Sequence, residues 1–247
     1  MNALDVRGLT HAYAGVPVLR SVAFSVSPGE VVAVVGPSGA GKTTLFRCLT
    51  QLVRADAGML ELFGTDLQQA QGKSLRLARR DLGLVFQSYN LVRRLTALQN
   101  VLVGRLADVP TWRVLLRRFP AADEALAAAC LDQVGLLPYA HTRADRLSGG
   151  QQQRVAIARV LASRARVVLA DEPVASLDPA SAAAVLTALR SLAVDHGKAV
   201  VCSLHQVDLV AGFADRVVGL RDGRVVLDVP ASQFDPAAAS ALYARGG

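Results

Sequence analysis

The chain has 247 residues, 52% of them hydrophobic and 19% charged, a length and balance that exclude an intrinsically disordered polymer and allow a sizeable buried core. Its mean hydropathy of +0.33 is high, yet no stretch reaches the roughly 18 unbroken apolar residues of a membrane span, so a soluble protein is expected. The net charge of +7 is compatible with nucleic acid, an anionic membrane face or a nucleotide site with solvated arginines, and does not choose among them. Cys48, Cys130 and Cys202 are odd in number and sit in apolar patterns, which predicts buried free thiols. The first residues carry no basic start followed by an apolar run, so no signal peptide is expected and a cytosolic location follows.

In chain order, alternation from Leu4 predicts a half-buried strand, and Val18 to Val26 predicts a second. Tyr13 lies in the polar turn between them, where its ring fits either packing on the sheet or stacking on a purine base. Val31 to Val35 is an unbroken β-branched and apolar run, a buried strand, and it leads directly into Gly36, Pro37, Ser38, Gly39, Ala40, Gly41, Lys42, Thr43 and Thr44. Strand, glycine-rich loop and helix start in this order make a P-loop. The glycines aim successive N–H groups inward, Lys42 reaches the β- and γ-phosphates, and the Thr43 hydroxyl ligates Mg²⁺. The glycine spacing differs from that of a dinucleotide fold, so the expected ligand is a nucleoside triphosphate.

Further strands are predicted at 58–64 and at Leu82 to Phe86, the latter ending on Gln87 where α/β sheets place ligands. From about 90 to 165 strand signals give way to helical periodicity, interrupted around Trp112; this reads as a helical subdomain (90–165) inserted in a nucleotide-binding core (1–89 and 166–247). Within it Leu147 to Gln151 opens a helix with Ser148 as N-cap and two glycines, Gly149 and Gly150, in the first turn. That costs helix propensity, and either an anion at the helix tip or a close backbone contact supplies the reason. Val167 to Ala170 is a strand delivering Asp171 and Glu172, which can divide two tasks: Asp171 toward Mg²⁺ through water, Glu172 toward a γ-phosphate and its attacking water. Asp178 precedes an alanine-rich helix, a strand over 199–204 ends before His205, and Asp222 with Gly223 signals a type I′ hairpin. A short alanine-rich helix is expected in the tail.

Together these stretches resemble the ATP-binding subunits of ABC transporters over essentially the whole chain, the LSGGQ pentapeptide at 147–151 being that family's own mark. The resemblance implies an α/β P-loop ATPase core with an N-terminal antiparallel β subdomain and the inserted helical subdomain. By it, Tyr13 stacks on adenine, Gln87 senses Mg²⁺ and water and faces a permease, and His205 touches the γ-phosphate. Ser148, Gly149, Gly150 and Gln151 close on ATP held by a second copy of the chain, with Asp178 at the seam, and Glu172, His205, Gln87 and Lys42 carry the hydrolysis. It further implies transmembrane permease subunits and, through them, an extracytoplasmic solute-binding protein. The subunit would lie peripherally on the cytoplasmic face of the cell membrane. A nucleic-acid partner is not expected, because relatives acting on ribosomes or DNA usually carry two cassettes or a long coiled-coil insertion. A finer resemblance, carried by Phe86 to Thr96, Thr111 to Arg113, Ala170 to Pro179 and Leu204 to Asp208, is to the phosphonate importer ATPases, with phosphite, hypophosphite or phosphate as alternative cargo. Tyr89 and Cys202 depart from that pattern, Cys202 standing where a hydroxyl residue is common.

Overall fold

A strand buried on one face alternates, and a strand buried on both does not; the chain uses both kinds. The computed structural model describes residues 1–86, 90–115 and 118–235. It opens with β1 (Leu4–Tyr13), β2 (Val16–Val26) and β3 (Val31–Val35), followed by α1 (Lys42–Leu49), β4 (Ala57–Leu62) and β5 (Thr65–Asp66). Then come α2 (Gly72–Ala78), β6 (Leu82–Phe86), α3 (Ala97–Leu102), α4 (Thr111–Leu115), α5 (Ala121–Gln133) and α6 (Gly149–Ala162). The remainder is β7 (Val167–Asp171), α7 (Pro179–Val194), β8 (Ala199–Leu204), β9 (Arg216–Arg221) and β10 (Arg224–Pro230).

The alternating strands form an antiparallel sheet of order β2-β1-β4-β5, burying Leu4, Val6, Leu9, Leu19, Val22 and Leu60 on one side. The continuous apolar runs form a six-stranded sheet of order β10-β9-β3-β8-β7-β6. Within it β9, β3, β8, β7 and β6 are parallel, and β10 closes the edge as the antiparallel arm of a hairpin. Asp222 and Gly223 sit between β9 and β10 with φ of 49° and 75°, the positive pair a type I′ turn requires.

The period of two along β3 divides the core. Val31, Ala33 and Val35 pack with Val101, Leu131, Ile157 and Leu189 from α3, α5, α6 and α7. Val32 and Val34 pack with α1 and the antiparallel sheet, through Leu45, Leu49, Leu19 and Leu60. The helices between β6 and β7 therefore share a core with the large sheet, and between those strands the described structure is helices and turns apart from an isolated bridge of Thr96 with Arg143. The stretch around Trp112 is itself a short helix, α4, with the indole exposed and the Arg113 guanidinium 5.1 Å from its ring centre. Helix α2 had no counterpart in the sequence reading, its seven residues being too few to show a helical period. The expected tail helix and Gln87 lie outside the described residues.

Helix starts follow their side chains. Ser148 caps α6, its hydroxyl accepting from the Gln151 N–H while the Gln151 side chain accepts from the Ser148 N–H, a reciprocal capping box. Asp178 caps α7 by accepting from the Ser181 N–H at 3.0 Å, with Pro179 in the first helical position. The Ser181 side chain, and after it this backbone N–H, hold the exposed Asp178 carboxyl below the usual carboxylate range. The two capped tips also touch. A Cβ on Gly150 would lie 2.7 Å from the Ser181 Cβ, so the bareness of Gly150 is required by α7. Close backbone approach, one of the two reasons open from sequence, thus applies to Gly150.

Gly150→Ala is expected to lower stability by about 1 to 2 kcal/mol in urea titration, overpacking at the tip outweighing the gain in helix propensity. Adding Ser181→Gly should recover most of the loss; a double variant no better than the single would refute the contact as the cause.

Candidate functional site

Parallel pairing sets three strand ends side by side. Val35 of β3 is in register with Leu204 of β8, and Ala170 of β7 with Cys202 of β8. The loop after β3, the Asp171–Glu172 pair after β7 and His205 after β8 consequently emerge on one edge of the sheet. Ligands of open α/β sheets bind at such carboxyl ends. Phe86 of β6 is in register with Asp171, which points the strand leading to Gln87 at the same edge.

The loop is shaped by what surrounds it. Gly36 has φ of +155°, and a Cβ there would fall 2.1 Å from the Leu220 carbonyl oxygen of β9, so only glycine fits. Gly41 starts α1 in the left-handed region at φ +103°, close under Val18 of β2. The turn of the β9–β10 hairpin holds the loop from below, the Gly223 N–H donating to the Ala40 carbonyl at 3.1 Å. Lys42 is 4% exposed and folds back over the loop, its Nζ donating to the Gly36 and Pro37 carbonyls at 2.7 and 3.1 Å. Burial lowers the affinity of this amine for its proton, and the charges of Glu172 and Asp171 oppose that shift. The first turn of α1 carries no acidic side chain, so its free N–H groups complement an anion.

Beside the loop stand two carboxylates in different settings. Burial raises the Asp171 carboxyl, the Ser203 hydroxyl bonded to it pulls it down, the nearby Glu172 raises it, and Lys42 and Arg47 lower it. Glu172 turns off the strand at φ +48°, a left-handed backbone uncommon for a non-glycine residue. Its carboxylate Oε1 lies 2.5 Å from the His205 Nε2, joining the ends of β7 and β8. Ser203 is fully buried: its Oγ accepts from the Glu172 N–H at 2.8 Å and donates to Asp171 Oδ1 at 2.8 Å. Sequence reasoning passed over Ser203; its only signal was a hydroxyl in an otherwise apolar run two residues before His205.

Thr43 and Asp171 line one cavity of about 440 Å³ together with Arg47, Thr50 and Asn90. Two hard oxygen donors facing a common space suit Mg²⁺, which takes one or two protein ligands and completes its shell with phosphate oxygens and water. No cluster of three or more His, Cys, Asp or Glu residues suited to a metal occurs among the described residues, in keeping with so sparse a set of protein ligands.

Tyr13 ends β1 and is 41% exposed, its ring edge-on to His11 at 4.6 Å with an 89° interplanar angle. Asp56 Oδ2 accepts from the neighbouring Ala12 N–H at 2.7 Å and steadies that turn. The ring thus packs on one strand residue and is otherwise open to solvent. Ser148 to Gln151 and Asp178 form a second group, at the abutting tips of α6 and α7.

The ABC transporter family model matches residues 19–175. The hypophosphite import ATP-binding protein HtxD of Stutzerimonas stutzeri is 50% identical over 241 residues, covering 98% of this chain and 71% of that protein. The phosphonates import ATP-binding protein PhnC of Frankia casuarinae is 47% identical, covering 100% of this chain and 98% of that one. Among solved structures, the dimeric post-hydrolysis state of the ATP-binding cassette MJ0796, bound to ADP and Pi, superposes with a TM-score of 0.78 at 30% identity, covering 94% of this chain and all of that one. With the family model spanning more than half of its length and these relatives matching nearly all of it, the chain belongs to the ABC transporter family, as an ATP-binding subunit.

Proposed function

We propose that the chain is the ATP-hydrolysing subunit of an importer for phosphonates, working as a pair that sandwiches two nucleotides. The observation carrying this reading is the convergence of Lys42, Asp171, Glu172 and His205 at adjacent strand ends. Backbone N–H groups of Ser38 to Lys42 and the α1 N-terminus take the phosphate oxygens, and Lys42 exchanges its carbonyl partners for the β- and γ-phosphates. Thr43, Asp171 and Gln87 hold Mg²⁺, which when bound neutralises charge on the phosphates. Glu172 orients and polarises the attacking water, His205 holds the Glu172 carboxylate and touches the γ-phosphate, and Tyr13 stacks on the base. Ser148, Gly149, Gly150 and Gln151 of the second copy close over the triphosphate, with Asp178 at the seam. Catalysis is then positioning and charge neutralisation, as expected for phosphoryl transfer.

The pair docks on transmembrane permease subunits at the cytoplasmic face of the membrane, and an extracytoplasmic solute-binding protein delivers cargo to the permease. Among the described residues no helix is long and apolar enough to cross a membrane. The importer names of the relatives and the fit of a P-loop site favour this reading over a cassette acting on ribosomes or DNA. A second cargo, hypophosphite, is favoured by the 50% identity to HtxD. Both cargoes are small phosphorus oxyanions, and this subunit contacts neither.

Glu172→Gln should retain ATP binding and lower kcat by about 10²-fold or more, the range of a lost general base, leaving a closed ATP-bound dimer in gel filtration. Normal turnover would refute the water-activating role. Lys42→Ala should weaken binding of a fluorescent ATP analogue by roughly 30-fold, the worth of a charge-assisted contact. Cargo is decided by calorimetry on the partner solute-binding protein: tight binding of alkylphosphonates supports the first reading, and preference for hypophosphite replaces it with the second.

A further inference from the structure

We infer that Ser203 is a positioning residue that clamps the hydrolytic pair, fixing the Asp171 carboxylate and the Glu172 backbone with a single buried hydroxyl. The inference rests on the reading of Asp171 and Glu172 given above and assigns a function to a residue that reading does not use.

The geometry follows from where the β7–β8 ladder stops. Its last paired residues are Ala170 and Cys202, so the backbone of Glu172 has no strand partner on β8. Glu172 simultaneously takes a left-handed conformation at φ +48°, which is strained for a side-chain-bearing residue and persists only where surrounding contacts enforce it. The Ser203 Oγ supplies such a contact, accepting the Glu172 N–H at 2.8 Å. A hydroxyl has one proton, and here it is spent on Asp171 Oδ1 at 2.8 Å. The Ser203 side chain is fully buried and both bonds are part-buried, where an N–H left without a partner is costly. Ser203 is also two residues before His205, whose Nε2 meets the Glu172 carboxylate. The end of β8 thus grips the Asp171–Glu172 pair from two sides, main chain through Ser203 and side chain through His205. Fixing the left-handed turn aims the Glu172 carboxylate, and a displacement on the order of 1 Å at such a group is enough to cost about 10²-fold in rate.

The test is Ser203→Ala in the full-length protein assembled with its permease. Turnover should fall about 10- to 100-fold, the range seen when a supporting hydrogen bond is removed, with KM for ATP and the affinity for a fluorescent ATP analogue in EDTA unchanged. Hydrogen exchange should show the Glu172 amide protected in the parent and exposed in the variant. Ser203→Thr, which keeps the hydroxyl, should restore both turnover and protection. Wild-type kcat in Ser203→Ala, or a loss of kcat matched by an equal loss of nucleotide affinity, would overturn the clamp. If the alanine variant does not fold, Ser203→Cys carries the same test, since a thiol bonds too weakly to hold both partners; wild-type turnover there again overturns it. A parent protein without ATP turnover would instead refute the proposed function, while the exchange measurement would still report on the clamp.

Discussion

The hydrogen-bond ladders joining β3 to β8 and β8 to β7 determine where three stretches far apart in sequence come to their ends, and every chemical group of the site takes its place from them. Val35, Asp171 and Leu204 terminate strands that are buried along almost their whole length. Each fully buried Val or Leu contributes roughly 1.5 to 3 kcal/mol, so the reactive edge hangs from a well-stabilised part of the molecule. Register is over-determined here, because a slip of one residue would exchange the two faces of β3 between clusters packed on different neighbours. A strained turn such as Glu172 can be sustained at the rim of such a sheet.

Charges of both signs meet at that edge. Burial works against ionisation of both Lys42 and Asp171, and their mutual attraction partly offsets it. Arg47 adds a second cation near Asp171 and lines the same cavity. A triphosphate adds several negative charges, more than Lys42 and the loop amides can neutralise. Thr43 and Asp171 would hold a divalent cation there, which when bound would supply further positive charge. Lys42 resting on the Gly36 and Pro37 carbonyls fits the same logic, since those oxygens hold its charge inside the loop.

Much of this was legible because the sequence signals were local. Val31 to Lys42 spells strand, loop and helix in consecutive residues, Ser148 spells an N-cap, and Asp222 with Gly223 spells a type I′ turn. What escaped was non-local. Ser203 looks like an interruption of an apolar strand until Glu172, 31 residues away in sequence, is brought beside it. Cys202, marked by its departure from the family pattern, is buried with its thiol pushed far up, and the hydroxyl at this place comes from the next residue instead. Gly150 carried two readings until Ser181 appeared next to it, and α2 had too few residues for periodicity to reveal it.

The contact between the α6 and α7 tips bears on how the proposed pair of subunits would report hydrolysis. Asp178 lies six residues beyond Glu172 and caps α7, and Ser181, which it caps, packs against Gly150 in the first turn of α6. The segment leaving the hydrolytic carboxylate and the tip that is to cover the partner's nucleotide are thereby held in one packed unit. With no room for a methyl group between them, the two tips cannot move closer, so a shift of the α7 tip toward α6 would push on the Ser148 tip. In a head-to-tail pair that tip belongs to the other site. In the proposed pair, the contact inside each chain would therefore lie between the two pockets.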